Sequence, residues 1–458
     1  MLWEKIKEAM LKSPNQIISE ENAEITYEDL VVFAEKFAEK LSGERCCAIF
    51  CVSEMAAAMG LLSCFAAGVT AVPLSVKYGE LHCNKILDMI EPTAIISDMN
   101  GELTVTKISN AGYVTPVHHP ALIMCTSGTT GKPKGAMLSE ENILTNVMDI
   151  CKYFDITSTD KILIARPLYH CAVLTGEFLV SLFKGTRILF FSKQFNPKIL
   201  LDIITNKAIT VFCGTPTLIS MLARFNKGNS ESSLRRICIS GECMTAETGY
   251  KISSSFPKAD IYHVYGLTEA CPRVSYLSPD LFKSHASSVG TPLESVKLKI
   301  ITDSGKNAKI GETGILWVYG NNIMIGYYNA TEQTAKVLKD GWLCTGDIAK
   351  VDVDGLLTIL GRSDDLIIRA GMNIYPQEIE GVLKTDYRVR DVLVYKINNL
   401  RLGTQIGMKI SGNFSSIEEV KRLCLEKLPS FQIPSFIELL DELPRNGSGK
   451  IIRGGYND

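Results

Sequence analysis

The sequence ALIMCTSGTTGKPKGAM runs from Ala121 to Met137 and sets the interpretation of the whole chain. Its first five residues, Ala121 to Cys125, carry no charge and have the length of a buried strand. The next ten residues contain three glycines, four hydroxyl side chains and two lysines. Glycine lets a backbone turn its N–H groups toward an anion, and hydroxyls and lysines add donors and positive charge. The stretch therefore predicts a buried strand that ends in a phosphate-binding loop.

This loop is not a Walker A loop, because Thr126 precedes Gly131 by five residues, where that motif has glycine. Pro133 also follows Lys132, where the motif has serine or threonine. On composition alone, such a loop is more often a solvated turn than a phosphate site. The run from Thr126 to Gly135 resembles, however, the signature of the adenylate-forming superfamily of AMP-dependent synthetases and ligases, which includes acyl-CoA synthetases and luciferases. The resemblance implies that the phosphates of ATP lie against Thr126, Ser127, Gly128, Thr129, Thr130, Gly131, Lys132 and Lys134.

Composition and charge favour a small-molecule partner. The 458 residues suffice for two or three domains, and the formal net charge of −2 gives no reason to expect nucleic acid or an anionic membrane. The fourteen cysteines form no CxxC pair and no zinc-type spacing with histidine. Free thiols in a reducing cytosol fit this pattern, so we expect a cytoplasmic protein. Its oligomeric state is not determined by the sequence.

One uncharged segment, Met55 to Leu74, is long enough to cross a bilayer. Gly60, Gly68 and Pro73 interrupt it, so it predicts a buried helix followed by a strand rather than a stable membrane insertion. The first twelve residues, MLWEKIKEAMLK, carry charges throughout. They predict an amphipathic helix and not a signal peptide.

Strand and helix patterns alternate from Ile25 onward. Helices are predicted at 27–41, from Met55 and at 81–90, and strands at 46–52, 71–74, 94–97, 161–165, 186–191, 209–213, 236–240 and 260–264. This alternation predicts an α/β fold of doubly wound, mostly parallel sheets with helices on both faces. Ligands of such sheets bind at the carboxyl ends of the strands, where several of the motifs below fall.

The pattern changes after Ser288 to short strands, predicted at 296–302, 314–319, 342–351 and 356–360, which indicate a small β subdomain over about 288–362. The run Gly361 to Asp365 then interrupts the apolar pattern. We therefore expect an N-terminal adenylation domain at 1–362 and a small, mobile α+β C-terminal domain at 363–458.

The pentapeptide YGLTE, Tyr265 to Glu269, resembles the second signature of the superfamily. The resemblance implies that Tyr265, followed by Gly266, stacks on adenine, that Thr268 contacts the α-phosphate and that Glu269 helps to hold Mg²⁺. One carboxylate with phosphate oxygens and water is a typical Mg²⁺ site. By itself the pentapeptide would more often be a strand end with a helix cap.

Two further positions resemble the ribose site of the superfamily. Asp347, in DGWLCTGD, matches the aspartate that accepts hydrogen bonds from both ribose hydroxyls, and Arg362 matches the residue that contacts the sugar from the other side. Taken alone, Asp347 would be read as part of a glycine–aspartate turn. Together the two positions are expected to bind one ribose.

The C-terminal motifs imply a second conformation. Lys450, in LPRNGSGKIIR, resembles the lysine that bridges carboxylate and triphosphate in the first half-reaction, a role suited to a flexible ammonium group. Asp364 matches the hinge about which the small domain rotates. Ala370 and Gly371 match the loop that lines the pantetheine tunnel, although many relatives have two glycines there, which leaves the acceptor open.

Two loops bear on the acid substrate. His170 occupies the place where amino-acid-activating relatives carry an aspartate, so the sequence argues against an α-amino acid. A packed histidine at a strand end is the alternative role. Ser240, Gly241 and Glu242 resemble the turn beside adenine and the acyl pocket, although Glu242 replaces a small residue and either reaches solvent or binds a polar part of the acid.

The resemblance implies an enzyme that uses ATP and Mg²⁺ to activate a carboxylic acid as acyl-AMP, with release of pyrophosphate, and then acylates CoA. The phosphopantetheine thiol of a separate acyl carrier protein is the alternative acceptor. No carrier domain is seen within the chain, which favours a stand-alone ligase. A non-catalytic acyl or nucleotide sensor on the same fold is an alternative of another class. It would be favoured by loss of Lys450, Glu269 or Asp347, and all three are present.

Overall fold

A computed structural model describes residues 2–76, 80–98, 102–109, 112–127, 133–193, 196–226, 232–369, 372–399, 403–445 and 451–452. The helices in these ranges are α1 Leu2–Leu11, α2 Tyr27–Ala38, α3 Glu54–Ala67, α4 Glu80–Ile90, α5 Glu140–Tyr153, α6 Cys171–Val173, α7 Val180–Phe183, α8 Pro197–Asn206, α9 Pro216–Asn226, α10 Ala246–Ser255, α11 Pro279–His285, α12 Thr331–Val337, α13 Pro376–Leu383 and α14 Ile417–Lys427. A π-helix, Leu174–Leu179, joins α6 to α7, and 3-10 turns lie at Glu39–Leu41, Thr268–Ala270 and Ser430–Gln432.

The first half of the chain contains the strands β1 Ile17–Glu20, β2 Ala23–Thr26, β3 Cys46–Phe50, β4 Thr70–Pro73, β5 Ala94–Ser97, β6 Thr104–Lys107, β7 Leu122–Ser127, β8 Pro133–Leu138, β9 Lys161–Ile164, β10 Arg187–Phe190, β11 Val211–Gly214 and β12 Arg236–Ser240. The second half contains β13 Asp260–Gly266, β14 Arg273–Leu277, β15 Thr291–Pro292, β16 Lys297–Ile301, β17 Gly314–Tyr319, β18 Gly326–Tyr327, β19 Leu338–Lys339, β20 Trp342–Val351, β21 Leu357–Arg362, β22 Ile367–Arg369, β23 Met372–Ile374, β24 Val389–Asn399, β25 Gly403–Gly412 and β26 Phe436–Leu440.

A nine-stranded sheet forms the centre of the fold, in the order β15-β14-β13-β12-β11-β9-β10-β1-β2. Its strands from β13 to β1 are parallel, and antiparallel strands close both edges. Strand β12 is buried from Ile237 to Ser240, which explains the apolar run Ile237-Cys238-Ile239 at its centre. The parallel arrangement brings the ends of β9, β11, β12 and β13 to one edge, where the candidate site lies.

A seven-stranded sheet in the order β18-β8-β7-β4-β3-β5-β6 contains β7, the strand that precedes the phosphate-loop motif. The uncharged Met55–Leu74 segment forms most of α3 and all of β4, as predicted. Ser53 caps α3 by accepting a hydrogen bond from the backbone of Ala56, and Gly68 ends the helix with φ +65°. No helix in the described part of the chain is long and apolar enough to span a membrane.

Strands β16, β17, β19, β20 and β21 form an antiparallel sheet, as the short β pattern predicts. Strand β18 lies in the same stretch of sequence but pairs with β8, so it joins the seven-stranded sheet instead. The C-terminal segment has its own apolar core, in which α13 and α14 pack on the sheet β24-β25-β26. The α/β prediction is confirmed, and the fourteen cysteines are all free thiols.

Candidate active site

Strands β7 and β8 form a hairpin around the phosphate-loop motif. They are antiparallel, with Thr126 opposite Lys134 and Ser127 opposite Pro133. Leu122, Ile123 and Met124 are buried, which fixes the hairpin in the core of its sheet. The five residues between the strands lie outside the described residues, namely Gly128, Thr129, Thr130, Gly131 and Lys132. The predicted strand is thus observed, and it is longer than predicted: Thr126 and Ser127, expected in the loop, lie in β7, and Pro133, Lys134 and Gly135 lie in β8.

A tyrosine that the sequence analysis did not identify joins this hairpin to the YGLTE motif. Lys134 Nζ lies 5.2 Å from the ring centroid of Tyr327, and the Tyr327 hydroxyl donates a 2.8 Å hydrogen bond to Glu269 Oε1. Tyr327 lies on β18, which pairs with β8 beside Lys134. Burial raises the pKa of Tyr327, so the phenol remains a donor at neutral pH. In the sequence, only the pair Gly326-Tyr327 marks this position. The pair lies far from Glu269 along the chain, so the contact between Tyr327 and Glu269 could be found only from the fold.

The backbone also fixes the position of Glu269. Its carbonyl accepts a 2.9 Å hydrogen bond from the N–H of Met324, within the 3-10 turn that follows β13. Gly266 precedes this turn, and a Cβ there would come within 1.9 Å of the Pro272 carbonyl oxygen. A side chain at this position would displace the backbone, so the motif requires glycine for close approach of two chain segments.

Asp347, Tyr265 and Arg362 form the second part of the site. Asp347 lies opposite Arg362 in the pairing of β20 with β21, and Arg362 NH1 donates to its Oδ1 at 3.2 Å. The Tyr265 hydroxyl donates to Asp347 Oδ2. Burial raises the pKa of Asp347, while Arg362 and Tyr265 both act to lower it. The two predicted ribose residues are therefore in contact, and Tyr265 binds one of them.

The turn after β12 contains Ser240, Gly241 and Glu242. Gly241 has φ +96°, which favours glycine. The Glu242 carboxylate accepts hydrogen bonds from the hydroxyl of Thr217 at 2.6 Å and from its backbone N–H at 3.3 Å. Glu242 is thus half-buried and held at the start of α9, and both of the roles predicted for it stay predictions.

His170 lies at the N-terminus of α6, at the same edge of the nine-stranded sheet. Its ring centroid is 4.2 Å from that of Tyr169. Leu168, two residues before His170, donates its backbone N–H to Glu54 at 2.8 Å, and this hydrogen bond joins the loop to α3. The structure therefore places His170 after β9, at the N-cap of α6, and both of its predicted roles stay predictions.

The linker and C-terminal motifs are only partly described. Asp364 is exposed between β21 and β22, next to Ser363, whose N–H donates to the Gly346 carbonyl at 2.8 Å. Ala370, Gly371 and Lys450 lie outside the described residues.

Among the described residues, no group of three or more His, Cys, Asp or Glu side chains is arranged to bind a metal ion. Mg²⁺ does not need such a group, because it commonly takes one or two carboxylates together with phosphate oxygens and water. Glu269 fits this requirement. Tyr327 binds its Oε1, and Oε2 has no hydrogen-bond donor in the described part of the chain.

The hairpin that flanks the phosphate-loop motif, the contact of Asp347 with Arg362 and the carboxylate of Glu269 lie on an α/β fold, as expected for the adenylate-forming class. Residues 6–328 match the model of the AMP-binding enzyme family. This match spans well over half of the chain, so the protein belongs to that family.

Curated relatives of the chain are CoA ligases and synthases. It is 33% identical over 340 residues to a feruloyl-CoA synthase of Amycolatopsis, a match that covers 73% of this chain and 68% of the relative. It is 32% identical over 346 residues to a long-chain-fatty-acid–CoA ligase of Haemophilus influenzae, covering 74% and 61% respectively. The matched regions thus span about two thirds of these relatives' lengths.

Solved structures match nearly the whole chain. The o-succinylbenzoate CoA synthetase of Bacillus subtilis in complex with AMP superimposes with a TM-score of 0.86 at 27% identity, covering 99% of this chain and 98% of that one. The same enzyme with ATP and a magnesium ion gives a TM-score of 0.85 at 28% identity, covering 98% of each chain. The fold expected from the motifs is therefore that of the family.

Proposed function

We propose that this protein is an ATP-dependent acid–thiol ligase that converts a carboxylic acid to acyl-AMP and then to acyl-CoA. The reaction class rests on the family membership and on relatives that are CoA ligases. The observation that carries the proposal is the contact between motifs far apart in sequence. Tyr327 connects Lys134 to Glu269, and Asp347 binds both Tyr265 and Arg362.

In the first half-reaction, a carboxylate oxygen attacks the α-phosphorus of ATP. The bond from that phosphorus to the bridging oxygen breaks, and pyrophosphate leaves with the electron pair. The carboxylate thereby gains AMP as a good leaving group. Negative charge moves over the phosphate oxygens during this step, so catalysis requires positioning and cationic donors rather than an enzyme nucleophile.

Each motif suits one part of ATP. We assign the adenine to the Tyr265 ring and the ribose hydroxyls to Asp347 and Arg362. The α-phosphate is assigned to Thr268 and the β- and γ-phosphates to the loop before Lys134. Glu269 would hold Mg²⁺, whose charge offsets that of the phosphate oxygens. Tyr327 donates to Glu269 and so orients the carboxylate toward the phosphates.

In the second half-reaction, a thiol attacks the acyl carbon, loses its proton, and expels AMP. We propose that residues 363–458 rotate about Asp364 between the two steps, exchanging Lys450 for the loop at Ala370 and Gly371. The exposure of Asp364 and the separate apolar core of the C-terminal segment support this proposal. CoA is the acceptor that the relatives favour, and the carrier-protein thiol stays the alternative.

The proposal is tested by incubating the enzyme with ATP, Mg²⁺ and a panel of carboxylic acids, with and without CoA. We expect acid-dependent release of pyrophosphate and formation of AMP, with thioester only when CoA is added. Formation of ADP, or ATP cleavage that no acid stimulates, would contradict the proposal.

Lys450 provides a test of the two-step assignment. We expect Lys450→Ala to lower adenylate formation by roughly 100-fold or more, because it removes a cation from the transition state. Thioester formation from supplied acyl-AMP should survive, since that step does not use the lysine. Equal loss in both half-reactions would contradict the assigned role.

A further inference from the structure

Two buried charged residues and one half-buried one lie together near the loops proposed to bind the acid, and we call Arg166, Glu177 and Arg273 the arginine–glutamate cluster. Arg166 follows β9, and its NH2 donates to Glu177 Oε1 at 2.5 Å. Glu177 lies in the π-helix and is 1% exposed. Arg273 begins β14 and is 2% exposed, although arginine is rarely buried without a partner.

The cluster has more positive than negative charge. Two guanidinium groups face one carboxylate, which leaves an excess of one positive charge. Burial raises the pKa of Glu177, and protonation of Glu177 would only increase that excess. The Arg273 guanidinium contacts Cys238, whose Sγ lies 4.0 Å from NH2, and the hydroxyl of Tyr153, and neither of these groups is a carboxylate. Buried charges usually have a counterion, so this excess needs explanation.

Several polar atoms of the cluster also lack partners. Within the described residues, Nε of Arg166, Nε of Arg273 and Oε2 of Glu177 are buried without any hydrogen bond. An unsatisfied buried N–H costs free energy unless another group accepts from it. An anion beside Arg166 would supply an acceptor for the Arg166 guanidinium and the missing negative charge, whereas Oε2 of Glu177 needs a donor.

Arg166 is the most exposed member of the cluster and lies next to the turn after β12. Its NH1 is 3.5 Å from the hydroxyl of Ser240, in the turn after β12, and its side chain is 16% exposed. His170 follows four residues later at the same edge of the sheet. Glu242, the acidic residue nearest in sequence to Ser240, binds Thr217 instead of Arg166. Arg166 is therefore the cluster member placed between the buried charges and the proposed acid site.

We propose that Arg166 binds a second anionic group at the far end of the acid substrate, so that this enzyme prefers dicarboxylic acids to monocarboxylic acids of equal length. The inference rests on the proposed ligase function. A guanidinium matches a carboxylate with two parallel N–H donors, which a compact ammonium group does not provide. Glu177 holds the guanidinium in place, and Arg273 maintains the positive excess.

The test compares pyrophosphate release for matched pairs of acids: straight-chain diacids against monoacids of the same carbon number, and benzoates with and without a second carboxylate. We expect the best diacid to exceed its matched monoacid in kcat/KM by about tenfold or more. Equal rates, or a preference for the monoacids, would overturn the inference while leaving the ligase function intact. Release with none of the acids would contradict the ligase function, and the inference with it.

Variants then test the contact itself. Arg166→Met should lower kcat/KM for the preferred diacid by roughly 10- to 100-fold and bring the diacid-to-monoacid ratio toward one. Arg236→Met is the matched control, because Arg236 is similarly buried at the opposite end of β12, where it pairs with Asp155 and Asp260. Arg236→Met should keep the diacid-to-monoacid ratio of kcat/KM that the parent enzyme shows.

A second variant keeps the test valid if Arg166→Met fails to fold because Glu177 is left unpaired. In Arg166→Met/Glu177→Met both members of the ion pair are absent, yet Arg273 preserves the excess of one positive charge. Thermal melting compares the folding of both variants with the parent enzyme. Loss of the diacid preference in the double variant supports direct binding by Arg166, and retention of the preference overturns it.

Discussion

Replacing Tyr265 with phenylalanine isolates one hydrogen bond of the proposed ATP site. The ring remains available for adenine, but the hydroxyl that donates to Asp347 Oδ2 is removed. Asp347 is 8% exposed and keeps Arg362 NH1 on its other oxygen at 3.2 Å. The variant therefore leaves one oxygen of a buried carboxylate without its donor, while the second ion-pair contact is preserved.

The expected loss follows from the strength of that bond. A hydrogen bond to a charged group contributes about 1.5–3 kcal/mol. Because Arg362 still binds Asp347, we take the lower end, about 1.5 kcal/mol, which corresponds to roughly a tenfold decrease in kcat/KM for ATP. The loss is expected because the change weakens the proposed binding of the ATP ribose by Asp347.

The pH dependence has a definite sign. Burial raises the pKa of Asp347, and the Tyr265 hydroxyl opposes that increase by stabilising the carboxylate. Removing the hydroxyl should therefore raise the pKa of Asp347 further. Only the ionised carboxylate accepts both ribose hydroxyls, so activity falls as pH drops through this pKa. The acid limb of the pH profile should move to higher pH in Tyr265→Phe.

The assay measures kcat/KM for ATP from about pH 5 to 9 at saturating acid. Tyr276→Phe is the control, since Tyr276 lies on the adjacent strand β14 and stacks on Tyr153 with centroids 4.1 Å apart. We expect that variant to resemble the parent. An unchanged kcat/KM for ATP in Tyr265→Phe, or an acid limb that stays in place, would refute the assignment of Asp347 to the ribose.

Two other changes test the thioester step and the core. Gly371→Phe should leave pyrophosphate release unchanged and block thioester formation, because a bulky side chain would obstruct the proposed pantetheine tunnel. Loss of pyrophosphate release with thioester formation retained would contradict the assignment of Gly371 to the tunnel. Burial lowers the pKa of His263 to about 4, so between about pH 6.5 and 4 the unfolded chain binds a proton that the native protein does not. Between pH 7.5 and 5, the free energy of unfolding measured in urea should fall by about 2 kcal/mol more for the parent protein than for His263→Gln. An equal fall in both proteins would contradict this prediction.

The sequence determined the class of fold and most of its regular elements. Strands β5, β12, β17 and β20 have the predicted bounds, because a run of buried or alternating side chains is a local property of the chain. The motifs also carried the expectation of ATP chemistry, since each combines residue types that a phosphate, a ribose or a cation requires. For Glu242 the local pattern was insufficient, as its partner Thr217 lies 25 residues earlier.

Only the tertiary structure decided which distant residues meet. Tyr327 lies 58 residues from Glu269, and it reaches that carboxylate because β18 leaves its sequence neighbours and pairs with β8. The arginine–glutamate cluster likewise combines a strand end, a π-helix and the start of another strand. Patterns of hydrophobicity fix the secondary structure and the buried face of each element. They do not fix the order of strands in a sheet, because that order depends on how whole elements pack. The order of the strands brings together the charges of the arginine–glutamate cluster.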